Sequence, residues 1–140
     1  MVINFFFNSS KIKVIERKRL RSFIPMIFKE EGQILSSLNY VFCTDEYLLS
    51  INKEFLNHDY YTDIITFTLS VPTAPIIGEV YISTDRVKYN SSALKVNFQE
   101  EIHRVIFHGA LHLCGYKDKT STHKKQMTAA EDKYLKMYFE

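Results

Sequence analysis

The stretch QEEIHRVIFHGALHLCGYKD, residues 99–118, predicts a helix that is apolar almost all round. A helix of this kind lies buried in the middle of a fold, and a glycine such as Gly115 is typical of the residue at which it ends. His108 and His112 stand four residues apart, so on a helix they lie about 40° and one turn apart. An unpaired buried polar group costs about 1–3 kcal/mol, so both side chains require partners.

The polar residues of this stretch have the spacing of a metal site. A chain that reverses at the glycine can bring the carboxylate of Asp118 back to His108 and His112. The pattern is that of the extended zinc-protease signature H-E-x-x-H-x-x-G-x-x-H, with Gly109 replacing the glutamate and Asp118 replacing the third histidine. We therefore predict one zinc ion bound by His108, His112 and Asp118, with His123 as an alternative third ligand. Two hydrogen-bonded core histidines and a structural metal without catalysis are the competing interpretations.

The two replacements bear on the reaction. In zinc proteases the glutamate is the general base, so with Gly109 a peptidase lacks its proton acceptor. A glycine also lets a substrate or another backbone approach the metal closely. A phosphodiester brings its own anionic oxygens to the ion, and Lewis-acid catalysis could then suffice. The carboxylate of Asp118 adds negative charge, which predicts a weaker Lewis acid and more tolerance for Mn²⁺ or Fe²⁺. We assign no catalytic residue.

Short β-prone runs alternate with helical patterns through the rest of the chain. Strands are predicted at residues 2–7, 39–44, 64–71 and 78–83. Helices are predicted from about residue 20 to Gly32, after a cap at Asp45, from a cap at Ser83 or Thr84 to Leu94, over 99–114 and over 120–139. Pro25 predicts a kink or a late start in the first helix. We expect an α+β fold with a mixed four-stranded sheet, about five helices and a zinc-protease-like metal helix.

Length and composition fit one domain over residues 1–140. The chain is 46% hydrophobic and 24% charged, which is typical of a globular protein. A net charge of +2 permits a nucleic-acid partner without arguing for one. Cys43 and Cys114 are read as core thiols and fit a reducing compartment. The apolar run at the start is too short for a signal peptide or a membrane span, so we expect a cytoplasmic protein with no membrane partner.

Several motifs together resemble one family. They are HGALHLCGY over 108–116, Asn52, TDIITF over 62–67 and GEV over 78–80. These motifs are similar to the signature of the YbeY family of bacterial rRNA maturation factors, over roughly residues 40–135. The resemblance implies a compact α+β fold and a zinc-dependent endoribonuclease that cleaves single-stranded RNA. It further implies a role in small-subunit rRNA maturation and ribosome quality control, with single-stranded rRNA and the small ribosomal subunit as partners.

Two positions depart from the family pattern. The family ends its motif Gly-Tyr-Asp-His, whereas this chain has Lys117-Asp118 at the last two places. The family commonly carries an arginine, thought to serve the phosphate, at the position of Leu56. The positive charge of that arginine must therefore come from another residue, and the candidates are Lys117, Lys119, Lys124 and Arg86. These departures favour an alternative: a metal-stabilised, ribosome-associated binding protein without turnover. A small metallopeptidase is a third alternative, which Gly109 disfavours.

Three further features have two interpretations each. Asp63 either hydrogen-bonds a ligand histidine from behind or caps the turn at a strand end. Thr66, Thr68 and Ser70 form a polar strand face that either contacts the RNA backbone or faces solvent, while Ile65, Phe67, Leu69 and Val71 face the other way. The six basic residues within 11–21 form either a phosphate-binding patch or a solvated helix face. His58 and His103 are read as ordinary polar positions.

Overall fold

The protein alternates strands and helices in this computed structural model, which describes residues 2–8, 12 and 14–140. The described residues form four strands: β1 Val2–Phe7, β2 Leu35–Cys43, β3 Ile64–Thr68 and β4 Ile76–Ser83. They also form five helices: α1 Arg17–Glu30, α2 Asp45–Leu56, α3 Thr84–Leu94, α4 Phe98–Leu113 and α5 Ser121–Phe139. The sheet order is β1-β2-β4-β3, with β1 and β4 parallel to β2 and with β3 antiparallel to β4. The predicted α+β fold with a mixed four-stranded sheet is confirmed.

Side-chain caps start α2 and α3. The hydroxyl of Thr44 accepts a hydrogen bond from the Tyr47 backbone at 3.2 Å, and that of Ser83 accepts one from the Arg86 backbone at 3.0 Å. Such a bond satisfies one of the backbone N–H groups that a helix start leaves unpaired. The predicted cap at Asp45 is therefore wrong. Its carboxylate instead accepts hydrogen bonds from the Ser83 hydroxyl at 2.7 Å and the Arg86 guanidinium at 2.7 Å.

Several predicted strand boundaries are also wrong. Strand β3 ends at Thr68, and Leu69 and Val71 are 58% and 63% exposed instead of facing the core. Beyond Thr68 only single contacts with β4 continue, such as the hydrogen bond from Leu69 N to Ile77 O at 2.7 Å, and Pro72 and Pro75 lie in the loop that follows. Strands β2 and β4 begin earlier than predicted, at Leu35 and Ile76, because these two residues pair with each other across the sheet. Such cross-strand pairing is a long-range contact that local propensity does not encode.

Helix α4 lies at the centre of the fold, as its apolar circumference predicted. It contacts α1, α3, α5, β3 and β4. Ile102, Ile106, Phe107, Ala110 and Leu111 are completely buried. Helix α1, which packs against α4, begins at Arg17 and runs through Pro25, so the predicted late start is wrong. None of the helices in the described ranges, α4 included, has both the length and the hydropathy of a membrane span.

Gly109 lets α4 lie close against the sheet. A Cβ atom at this position would meet Val80 Cγ1 at 2.8 Å and Ile64 Cδ1 at 3.2 Å. Gly109 therefore faces the side chains of β3 and β4. The expectation that it admits a substrate or another backbone to the metal is wrong, because the space beside it is filled by the apolar side chains of the core.

We expect Gly109→Ala to destabilise the fold by about 1–2 kcal/mol. The overpacking cost of about 1–3 kcal/mol exceeds the roughly 1 kcal/mol that alanine gains over glycine in a helix. Urea denaturation measures the difference. In a Val80→Ala background the methyl group has room, so the same substitution should there be neutral or stabilising. An equal loss in both backgrounds would contradict this packing argument.

Candidate metal centre

One face of α4, from Glu101 to His112, borders a cleft of about 500 Å³. The segment entering β3, the loop after α4 and the inner face of α5 complete its walls. All three predicted ligands, His108, His112 and Asp118, line this cleft. The other described lining residues are Thr62, Asp63, Ile64, Thr66, Glu101, Arg104, Val105, Lys119 and Glu131.

The end of α4 returns Asp118 to the histidines. Gly115 has a φ of 108°, in the left-handed region that favours glycine. Its backbone N–H donates to His112 O at 3.0 Å, and that of Tyr116 donates to Leu111 O at 3.1 Å. These two bonds form the Schellman motif that closes helices at a glycine. The chain reverses as predicted, and Asp118 Oδ2 lies 3.4 Å from His108 Nε2.

Two imidazoles and a carboxylate are ligand types that zinc accepts, and one pair of these ligands also has the separation that a zinc ion requires. Zinc takes imidazole nitrogens and carboxylate oxygens at 2.0–2.2 Å, so two ligands of one tetrahedral ion lie about 3.4 Å apart. The distance of 3.4 Å between His108 Nε2 and Asp118 Oδ2 matches this separation. The His108 and His112 rings lie 6.4 Å apart and nearly parallel, at 6°. Among the described residues, no group of three His, Cys, Asp or Glu side chains is close enough together to bind a metal ion. The pair of His108 and Asp118 is therefore preformed, whereas the third ligand, His112, is not yet in position.

Glu131 of α5 holds His108 from behind. Its Oε2 lies 2.6 Å from His108 Nδ1, and its Oε1 accepts a hydrogen bond from Arg104 at 2.9 Å. A carboxylate can only accept, so Nδ1 carries a proton, and Nε2 is the nitrogen that faces Asp118 and the cleft. A carboxylate in this position commonly orients a metal-binding histidine. Arg104 also donates to the more exposed Asp132 at 2.6 Å.

The sequence analysis missed both Glu131 and Arg104. A signal for Glu131 was present, because its spacing of four residues from Met127 and three from Tyr134 places it on the same helix face as these apolar residues. Glu131 is only 7% exposed, and a buried carboxylate needs a partner. Asp63, predicted to stand behind a histidine or to cap a strand end, lines the cleft, and its backbone oxygen accepts a hydrogen bond from Ser83 at 2.9 Å.

Carboxylates perturb the titration of this cluster. Burial lowers the pKa of His108, but the hydrogen bond and charge of Glu131, together with Asp118 and Asp63, outweigh burial and raise it overall. Burial raises the pKa of the Asp63 carboxyl, which backbone hydrogen bonds and the charge of His108 only partly offset. Burial also raises the pKa of Glu101 against the opposing charge of Arg104. Burial, with a smaller contribution from neighbouring carboxylates, therefore disfavours ionisation of Asp63 and Glu101.

The predicted basic candidates lie in different places. Lys119 lines the cleft, whereas Arg86 forms an ion pair with Asp45 at 2.7 Å. Leu56 is 40% exposed at the end of α2. In the basic cluster, Lys11 and Lys13 fall outside the described residues, and the arginines of α1 lie over aromatic rings. A phosphate-binding role for that cluster stays a prediction.

His123, His103 and the two cysteines are not among the residues that line the cleft, whereas Thr66 of the predicted polar strand face is. His123 lies in the first turn of α5, among described residues that do not line the cleft, and its backbone N–H donates to the Thr120 cap at 3.1 Å. His103 is buried, not an ordinary polar position, and its Nδ1 lies 2.6 Å from Gln99 O.

Burial raises the pKa of the Cys43 thiol to about 12, and burial with the charge of Glu31 raises the pKa of the Cys114 thiol to about 12 as well. Cys43 is buried and Cys114 is half-buried against the core, and a raised thiol pKa disfavours the reactive thiolate at both positions.

The contact from Glu131 to His108 and Arg104 predicts a stability effect. Glu131→Gln should lower the free energy of unfolding by about 2–4 kcal/mol, because it removes the charge that both partners face in a buried setting. Asp132→Asn is the matched control. It removes the exposed partner of the same arginine and should cost less than about 1 kcal/mol. Urea denaturation in the presence of a chelator measures both variants, and equal losses would contradict the assignment.

Asp63 predicts a pH-dependent effect of the opposite sign. Because burial raises its pKa above 3.8, the folded chain bears the cost of a charged carboxyl at neutral pH and is relieved of it as the pH falls. Asp63→Asn should therefore raise the free energy of unfolding at pH 7, and this gain should disappear near pH 4. Denaturation at the two pH values tests this, with the exposed Asp59→Asn as control. A variant no more stable than wild type at pH 7 would rule it out.

Comparison with known proteins identifies the family. The family profile described as endoribonuclease YbeY matches residues 5–139. The endoribonuclease YbeY of Cytophaga hutchinsonii is 46% identical over 135 residues, covering 96% of this chain and 94% of the relative. That of Porphyromonas gingivalis strain W83 is 44% identical over 135 residues, covering 96% and 89%. The solution structure of TM1509 from Thermotoga maritima has a TM-score of 0.66 and 26% identity, covering 99% of this chain and 89% of that one. The chain therefore belongs to the endoribonuclease YbeY family.

Proposed function

We propose that this chain is a metal-dependent endoribonuclease that cleaves single-stranded RNA during maturation of the small-subunit rRNA and in ribosome quality control. We infer that it acts in the cytoplasm on small ribosomal subunits. The observation that carries the proposal is the pairing of His108 Nε2 with Asp118 Oδ2 at 3.4 Å, in a cleft that His112 also lines. Its curated relatives are named endoribonucleases, which supports the reaction type.

One zinc ion per chain would be held by His108, His112 and Asp118. When bound, a divalent cation supplies Lewis-acid polarisation of a phosphoryl oxygen. Glu131 fixes the His108 ring so that Nε2 faces the cleft, and Arg104 balances the charge of Glu131. A carboxylate among the ligands suits Mn²⁺ or Fe²⁺ as well as zinc.

The charge of the cleft supports a need for a cation. Its described lining contains four carboxylates, those of Asp63, Glu101, Asp118 and Glu131, against two cationic side chains, those of Arg104 and Lys119. The RNA backbone carries one negative charge per phosphate, and carboxylates at close range repel it. A divalent cation among them would reduce this repulsion. Lys119, on the cleft wall, is then the side chain best placed to neutralise the phosphate.

The packing of Gly109 disfavours a peptidase. In the zinc-protease signature this position carries the general base. Here a side chain at position 109 would run into the side chains of Val80 and Ile64, so a carboxylate would have to displace them from the core.

Metal analysis combined with RNA cleavage tests the proposal. Zinc-loaded protein should contain one ion per chain and cleave a single-stranded RNA, and chelation should stop the cleavage. His108→Ala and Asp118→Ala should each lose the ion and reduce cleavage by at least about 100-fold. His123→Ala is the matched control and should keep both. Metal loss in His123→Ala with retention in Asp118→Ala would identify His123 as the third ligand.

The same assay separates the alternatives. Cleavage that survives chelation or the His108→Ala substitution would contradict the proposal. Zinc-loaded protein that binds small subunits without cleaving RNA would support the binding protein without turnover, for which Leu56 in the family's arginine position argues. Peptide hydrolysis abolished by His112→Ala would support a metallopeptidase.

A further inference from the structure

The loop between α2 and β3 exposes two tyrosine rings just before the segment that lines the cleft. Tyr60 is 56% exposed and Tyr61 is 45% exposed. Their hydroxyls are nevertheless bound: Tyr60 Oη lies 2.9 Å from His58 Nδ1, and Tyr61 Oη donates to Glu46 Oε1 at 2.7 Å. Each ring is therefore held at its polar edge while much of its apolar surface stays in water.

A buried amide holds this loop in place. Asn52 is 1% exposed, and its side chain donates a hydrogen bond to the Tyr60 backbone oxygen at 2.8 Å. The His58 backbone N–H donates to Asn52 O at 3.1 Å. Asn57 ends α2 in the left-handed conformation, with a φ of 58°. The two rings are thus presented by a loop that is anchored to the body of the fold, which lowers the entropy lost on binding.

Planar groups already stack on both rings. The His58 and Tyr60 rings lie 5.1 Å apart at an interplanar angle of 21°. The Arg86 guanidinium lies 5.0 Å from the Tyr61 ring centre and 5.1 Å from that of Tyr89. Aromatic rings and arginine planes are the groups on which proteins stack unpaired RNA bases. We call the surface formed by His58, Tyr60, Tyr61 and Arg86 the tyrosine platform.

The backbone of the tyrosine platform leads directly into the wall of the cleft. Thr62 and Asp63, which line the cleft, directly follow Tyr61 in the chain. Consecutive Cα atoms lie about 3.8 Å apart, so the platform begins within one residue of the cleft wall. A nucleotide whose phosphate enters the cleft would therefore place neighbouring bases near these rings.

We propose that the tyrosine platform stacks unpaired bases next to the phosphate in the cleft and so selects single-stranded over double-stranded RNA. The selection arises because the bases of a duplex stack on one another and cannot also stack on side chains. This inference rests on the proposed function, because it assumes that RNA occupies the cleft. It assigns recognition of the single strand to residues outside the candidate metal site.

Paired substitutions at Tyr60 and Tyr61 test the inference. Leucine removes the ring face but keeps apolar bulk, whereas phenylalanine removes the hydroxyl but keeps the ring. Full-length protein is titrated with a fluorescent 12-nucleotide single-stranded RNA and with its duplex, in chelator so that no cleavage occurs. Tyr60→Leu and Tyr61→Leu should each raise the Kd for the single strand by roughly five- to tenfold. The phenylalanine variants, and Phe6→Leu at the opposite edge of the sheet, should stay within about twofold.

Cleavage kinetics and a folding control complete the test. With zinc-loaded protein, the leucine variants should raise KM with little change in kcat, since the rings act on binding. Their melting temperatures should match wild type, because both side chains are exposed. Leucine variants that bind the single strand as wild type does would overturn the inference and point to a general apolar surface, such as one for a protein partner. Equal weakening of single-strand and duplex binding would also overturn it.

The inference and the proposed function can fail separately. If wild type binds the single strand through these rings but zinc-loaded protein cleaves nothing, the nuclease proposal fails and the platform stands. If wild type cleaves RNA and the leucine variants retain its Kd and KM, the platform fails and the nuclease proposal stands.

Discussion

The contact between His108 and Glu131 is the constraint on which the candidate site depends. Helix α4 is buried on nearly every side, so a histidine on it must either face a cleft or find a partner inside the fold. Here it does both: Nδ1 meets the carboxylate of α5 at 2.6 Å, and Nε2 faces Asp118. Because this contact crosses the interface between α4 and α5, the docking of the last helix and the orientation of the ring are determined together.

Close packing of α4 on the sheet places the same ring at the mouth of the cleft. Gly109 allows the helix to approach Val80 and Ile64, and its neighbour His108 then lies beside the segment that enters β3. Gly115, six residues after Gly109, follows the end of the helix and returns the chain. The two glycines are therefore required for different reasons. Gly109 is required because a side chain would clash with the sheet, and Gly115 is required because its φ is positive.

The cleft combines carboxylates that repel one another with a substrate class that is itself anionic. Asp63 and Glu101 both have a raised pKa, chiefly through burial. Such an arrangement is unfavourable for the fold by itself, and it is typical of sites where function has been favoured over stability. A bound cation would relieve the repulsion, and the proposed stacking of bases on the anchored tyrosines would add affinity for RNA that does not depend on charge.

Local patterns in the sequence determined much of the fold and the position of the candidate metal site. The apolar circumference of α4, the four-residue spacing of His108 and His112, and the glycine that closes the helix act within a few residues of one another, and each was readable from the chain. The alternation of strands and helices likewise predicted the mixed sheet.

Only the tertiary structure decided that Glu131 and Arg104 complete the environment of His108, that Gly109 faces the sheet, and that β2 and β4 extend each other. These features are contacts between segments far apart in the chain, and burial and pairing across such distances leave only a weak trace in local residue patterns.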